Sequence, residues 1–245
     1  MELSQALGVG EKGVISVIGG GGKTSLMVAL AGELSRRGKV VVTTTTHMGP
    51  TQAQQLHAPL LLDGRTDTFE QALAGHPVVC IAREEPESGK LRAPAPELLQ
   101  AALDRAAWVL AEADGSRCMP VKAPAGHEPV FLPDTDLVIA VAGLSALGRP
   151  LREVAHRLEL VCDLLGAEPE QVLTPAMLAR LLTSERGQFK GVGNVARYHV
   201  LLNQADGPRE LELARETARE IAALRPGCAV TAVCLRPRAQ VRACL

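Results

Sequence analysis

The stretch Gly19-Gly20-Gly21-Gly22-Lys23-Thr24-Ser25 constrains this chain more than any other. It follows the apolar run Val14-Ile15-Ser16-Val17-Ile18 and precedes Leu26-Met27-Val28-Ala29-Leu30-Ala31. Strand, glycine loop and helix in that order predict a phosphate cradle. Glycine lacks a Cβ, so successive backbone N–H groups can turn inward on an anion. The helix that follows adds free N-terminal N–H groups and the positive end of its dipole. On this reading Gly19, Gly20, Gly21, Gly22 and Ser25 contact phosphate, Lys23 reaches the β- and γ-phosphates, and the Thr24 hydroxyl ligates Mg²⁺. The run departs from G-x-x-x-x-G-K-[ST], which needs glycine at Val17, and is two residues tighter.

Hydrophobic residues make up 47% of the chain, enough for the core of one large α/β domain or two small ones. Aromatic residues make up only 2%, so that core must be packed from Leu, Val, Ala and Ile, and no stacking platform for bases is available. The formal net charge is −1 with no basic run, which argues against nucleic acid as the main partner. No window approaches a transmembrane length, and Met1-Glu2-Leu3-Ser4-Gln5 has neither a basic nor a long apolar segment. A cytoplasmic protein without a membrane partner is expected. The six cysteines form no C-x-x-C pair and read as reduced thiols; Cys118 stands out because it falls beside a candidate site.

Apolar runs at 14–18, 39–44, 78–82, 108–113, 137–142, 198–202 and 229–235 read as buried strands, with a short one at 60–62. Helices are expected at 23–37, 66–73, 96–106 and 209–224, a short one at 51–57, and a polar hairpin or loop at 83–95. This alternation predicts an α/β fold: three layers, a mostly parallel sheet of about seven strands, and helices on both faces. Residues 144–194 read as mostly helical, with Thr174-Pro175 starting one helix and a glycine-bearing loop from Gly187 to Asn194. The chain reads as one domain, 1–245, with 144–194 as a helical insertion or subdomain. Ligands in such sheets bind beyond the carboxyl ends of the strands.

Four constellations meet that condition. Thr43 to Thr46 end the second strand, where Thr44 and Thr45 hydroxyls can face a γ-phosphate or Mg²⁺; plain turn chemistry is the alternative, and His47 beside them reads equally as structural. Glu112 and Asp114 end the strand at 108–113 and point the same way at i and i+2. Buried unpaired carboxylates are costly, so at least one is expected to hold Mg²⁺ or orient the attacking group. Lys122, His127 and Glu128 lie in a proline-stiffened loop that suits a γ-phosphate or second-substrate site, or a polar surface. Asn203-Gln204-Ala205-Asp206 approaches the N-K-x-D base-reading pattern, with Asn203 on a purine edge and Asp206 accepting from guanine; an Asx turn is the alternative, and ATP versus GTP stays open.

Together these pieces resemble a known family. G-G-G-G-K-T-S, V-V-V-T-T-T-T-H-M, E-A-D-G-S-R-x-x-P-V-K-A-P-A-G-H-E-P, G-L-S-A-L-G-R-P-L with His156-Arg157 after it, and L-L-N-Q-A-D stand in the order seen in YqeC-type accessory proteins of selenium-dependent molybdenum hydroxylases. The resemblance runs from about Gly13 to Asp206, and Glu112 to Pro129 is its most specific part. It implies a P-loop NTPase-like fold and a role in maturing the selenium-containing molybdenum cofactor, with that cofactor, a selenium species, the hydroxylase or its maturation factors as partners. The short loop is similar to that of Mur ligases. Strand, E-x-x-G-[GS] and Pro is similar to dethiobiotin synthetases, which implies Glu112 as the Mg²⁺ ligand and Lys122 as a phosphate or substrate contact. The function expected is an Mg²⁺-dependent ATPase or GTPase; the alternatives are a small-molecule kinase or ligase, and a nucleotide-gated switch or chaperone with little turnover.

Overall fold

A computed structural model of the chain describes residues 1–193, 196–236 and 239–245. Nine strands form one sheet: β1 Gly13–Gly19, β2 Val40–Thr44, β3 Leu60–Leu61, β4 Val78–Ile81, β5 Trp108–Glu112, β6 Thr135–Gly143, β7 Arg197–Asn203, β8 Ala229–Cys234 and β9 Gln240–Cys244. Their order is β9-β8-β7-β6-β1-β5-β2-β4-β3. Every neighbouring pair is parallel except β8 and β9. The central strands are buried on both faces, as continuous apolar runs require.

Residue parity distributes the side chains between two layers. On one face, Ile15, Val17, Val40, Val42, Trp108 and Leu110 pack against Leu3 and Leu7 around α1 (Leu3–Ala6) and against Leu26, Met27 and Leu30 of α2 (Lys23–Leu34). On the other, Val14, Val41 and Val109 pack on Phe69 and Leu98, from helices Thr66–Gly75 and Pro96–Arg105. Farther along that face, Ile18, Val138 and Val200 pack against helices Leu158–Leu165, Pro175–Thr183 and Pro208–Leu224. The result is the expected three-layer α/β sandwich.

The segment from 144 to 193 carries three α-helices, Leu151–Val154, Leu158–Leu165 and Pro175–Thr183, joined by turns; Asn194, the end of the expected glycine loop, lies outside the described residues. Thr174 caps the helix Pro175–Thr183 by accepting from Met177 N–H. The segment also contributes a strand too short to read in sequence: Ala155–His156 pairs in parallel with Val121–Lys122. The polar stretch after β4 is a hairpin, Arg83–Glu85 with Lys90–Arg92, that pairs with His47–Met48. His47 is exposed there, 3.5 Å from Glu85, and does not line the cavity described below.

Register brings the strand ends together. Val17 lies opposite Glu112, Gly19 opposite Val141, and Gly143 opposite Asn203. The chain moves from β1 toward β2 on one side and later to β6 on the other, so the sheet's topological switch point lies at β1.

Candidate functional site

A cavity of about 600 Å³ opens at that switch point. It is lined by segments that follow six parallel strands: Gly22 after β1, Gln52 after β2, Cys118 after β5, Arg149 after β6, Asp206 after β7 and Arg236 after β8.

The glycine run is built differently from the expectation. Gly19 N–H donates to both Asp114 oxygens at 2.9 and 3.1 Å, Gly20 N–H to Val141 O at 2.9 Å, and Gly21 N–H to Met119 O at 3.0 Å. Three of the four glycines therefore direct their N–H groups into the protein, which corrects the reading of Gly19, Gly20 and Gly21 as backbone donors to a ligand. Glycine is still required. Gly21 and Gly22 have φ of +72° and +134°, and a Cβ would collide with the Gly143 backbone or the Asn203 amide respectively.

The open donors lie one step later. The N–H groups of Gly22, Lys23, Thr24 and Ser25 have no hydrogen-bond partner among the described residues, and no side chain caps α2. All four residues line the cavity. Unpartnered N–H groups at the positive end of a helix are the donors that an anion can satisfy.

Lys23 is almost fully buried. Its ammonium donates to Gly19 O at 2.7 Å and lies 2.9 Å from Asp114 Oδ1 and 3.4 Å from Glu112 Oε1. Burial alone opposes its charge, but Asp114 and Glu112 outweigh that cost and hold its pKa above the ordinary lysine value. Glu112 has the opposite balance: burial raises its pKa, against the pull of Lys23. Its Oε2 is buried with no partner among the described residues, and Glu112 lines the cavity. Thr24 Oγ1 accepts from Gln52 Nε2 at 3.0 Å.

Asp114 faces the other way. It is fully buried, and its oxygens are taken by Gly19 N–H, Lys23 and Lys122, the last at 2.9 Å. Asp114 therefore has no oxygen left for the metal expected of it, whereas Glu112 keeps one. Lys122 continues inward. Its ammonium donates to Gly115 O and to Glu128 Oε2, both at 2.6 Å. Arg157 closes the series with a fork onto Glu128, at 2.7 and 2.8 Å. Burial disfavours the Glu128 charge, but Arg157 and Lys122 dominate and pull its pKa down to about 2. Lys122 and Glu128 are thus internal groups rather than cavity-facing ones. His127 between them is exposed and makes no side-chain hydrogen bond among the described residues.

The remaining candidates divide the same way. Thr44 Oγ1 donates to Glu112 O at 3.1 Å, and Thr45 Oγ1 to Val130 O at 2.6 Å, so both tie strand ends together and leave no free hydroxyl for a phosphate. Asn203 Nδ2 donates to Gly21 O at 2.7 Å, and its Oδ1 accepts from Leu235 N–H at 3.3 Å. Asn203 is a clamp on the glycine loop. Asp206 is exposed and lines the cavity. Sequence reading assigned nothing to Gln52, which orients Thr24, or to Arg157, which appears there only as part of a longer pattern. A polar residue in a short helix after β2 is the one signal for Gln52.

Fold and site define an α/β protein with a strand–glycine loop–helix unit at the switch point of a mostly parallel sheet. A family model described as "YqeC protein" matches residues 15–159. The Escherichia coli (strain K12) protein named "Uncharacterized protein YqeC" is 36% identical over 197 residues, which is 78% of this chain and 75% of that relative. The chain belongs to the YqeC family. Among the described residues, no helix is long and apolar enough to cross a membrane.

Proposed function

We propose that the cavity binds a nucleoside triphosphate, ATP or GTP, with Mg²⁺, and that the protein hydrolyses or transfers its γ-phosphate. The observation that carries this reading is the pairing of four unpartnered N–H groups, Gly22 to Ser25, with one unpartnered buried carboxylate oxygen on Glu112 in the same cavity. The N–H groups fit phosphate. Thr24 Oγ1 and Glu112 Oε2 fit a metal that keeps most of its shell from phosphate oxygens and water. Mg²⁺ is bound in that way, by one or two protein oxygens rather than a cage. Among the described residues, no group of three His, Cys, Asp or Glu side chains gathers into such a cage. Held by Thr24 and Glu112, Mg²⁺ would supply charge neutralisation to the phosphates. Lys23 leaves Gly19 O and turns to the developing negative charge, and the N–H groups hold it in place.

The test is calorimetric titration with ATP and GTP, with and without Mg²⁺. Wild type is expected to gain affinity from Mg²⁺, and Glu112→Gln to lose most of that gain. An unchanged gain in Glu112→Gln would overturn the metal assignment.

Asp206 favours GTP. Asn203 is engaged with Gly21 and Leu235, so base reading falls to the exposed carboxylate, which can accept both guanine N1–H and N2–H₂. Asp206→Asn is expected to lower GTP affinity on the order of tenfold, as loss of a charged acceptor does, while ATP affinity holds. Competition binding reads this directly, and equal losses for both nucleotides would place the base elsewhere. Within its family, the protein would then serve maturation of a selenium-containing molybdenum cofactor, acting on that cofactor, on a selenium species, or on the hydroxylase and its maturation factors. A nucleotide-gated switch is the second reading. It is favoured by the buried ion pairs that run from Lys23, at the cavity wall, inward to Arg157.

A further inference from the structure

Six charges alternate in sign along one connected path: Glu112, Lys23, Asp114, Lys122, Glu128 and Arg157. The five before Arg157 are nearly fully buried, and the Lys122 side chain has no exposure at all. Arg157 sits just past the short pairing of Ala155–His156 with Val121–Lys122, which fixes it beside Glu128. Gln188 and Lys190 of the helical segment also donate to the backbone of this loop, at Lys122 O and Ala125 O. The helical segment therefore holds the far end of a path whose near end is the glycine-loop lysine.

We infer that Arg157 and Lys122 are positioning residues that set how readily Lys23 leaves Asp114 to meet a phosphate. The inference rests on the nucleotide reading above. Each group in the path is shared by its two neighbours. Arg157 neutralises Glu128, which leaves Lys122 free to neutralise Asp114, which in turn lets Lys23 go. Without Arg157, Glu128 draws Lys122 to itself and Asp114 retains Lys23. Without Glu128, Lys122 turns wholly to Asp114 and Lys23 is released. The effect of deletion therefore alternates in sign along the path. Such coupling is strong because the charges lie in a poorly screened interior.

The experiment is titration of ATP and GTP in excess Mg²⁺ against wild type, Arg157→Gln, Glu128→Gln and the double variant, each also made with Lys23→Ala. Arg157→Gln is expected to weaken binding about tenfold and Glu128→Gln to strengthen it several-fold, with the double variant matching Glu128→Gln because Arg157 acts through Glu128; these are the sizes typical of coupled buried networks. A damaged fold does not tighten binding, so the Glu128→Gln arm is protected from that artefact. The Lys23→Ala set separates the path from the simple field of each charge on an anion. The path predicts that both effects vanish there, whereas a field effect persists. Persistence with Lys23→Ala, or weakening by all variants alike, overturns the proposal while leaving nucleotide binding intact. Failure of wild type to bind either nucleotide removes the functional reading and this proposal together.

Discussion

Replacement of Asp114 by alanine is expected to lower the unfolding free energy by about 3–5 kcal/mol, the cost of breaking a buried ion pair from one side. Asp114 is the hub of the strand ends. It accepts from Gly19 N–H, holds Lys23 and Lys122 at 2.9 Å each, and has a side-chain exposure of 1%. Its removal leaves two buried ammonium groups short of a counter-charge and one buried N–H without an acceptor. The Lys122 ammonium and the Gly19 N–H are shut off from water where they stand. Urea denaturation followed by circular dichroism checks this, with the slope unchanged if the native state keeps its shape. A loss under about 1 kcal/mol, the ordinary cost of a point substitution, would contradict the hub role.

Lys23→Ala has the second large effect, on binding. Nucleotide affinity is expected to fall on the order of tenfold to a hundredfold, the value of a hydrogen bond to a charged group. Two contributions act in the same direction. The phosphates lose a cation, and Glu112 and Asp114 lose the ammonium lying 3.4 and 2.9 Å away, so two carboxylates near the cavity repel the incoming charge. Lys23→Arg keeps the charge but not the compact ammonium that fits between Gly19 O and Asp114, and is expected to recover only part of the loss. Fluorescence titration with a labelled ATP or GTP measures both variants. Wild-type affinity in Lys23→Ala would place the phosphates away from this loop.

The sequence made the architecture legible wherever apolar runs and strand ends coincide. β1, the glycine run and α2 are readable because a buried strand, a loop without Cβ atoms and a helix start have separate local signatures. β9 was not readable. Gln240–Cys244 is an edge strand with alternating partial exposure, and its antiparallel pairing with β8 depends on a register that no local pattern encodes. The candidate site was legible as a residue set more than as a wiring diagram. Glu112, Asp114, Lys122 and Glu128 stand close together in sequence, but which carboxylate faces the cavity depends on where Lys23 and Lys122 lie in space. The hydroxyls of Thr44 and Thr45 look free in sequence and are taken by Glu112 O and Val130 O in the fold. Gly19, Gly20 and Gly21 look like donors to an anion, yet the close approach of Val141, Met119 and Gly143 explains the glycines without one. Arg157 acquires its role only through the short strand pairing that places it against Glu128.

The most direct measurement of the central claim is a crystal structure with Mg²⁺ and a non-hydrolysable GTP or ATP analogue. The account predicts phosphate oxygens within hydrogen-bond distance of the Gly22, Lys23, Thr24 and Ser25 N–H groups, Lys23 turned from Gly19 O, and Mg²⁺ between Thr24 Oγ1 and Glu112. Phosphates bound away from the start of α2, or a metal on Asp114 with Glu112 uninvolved, would contradict it.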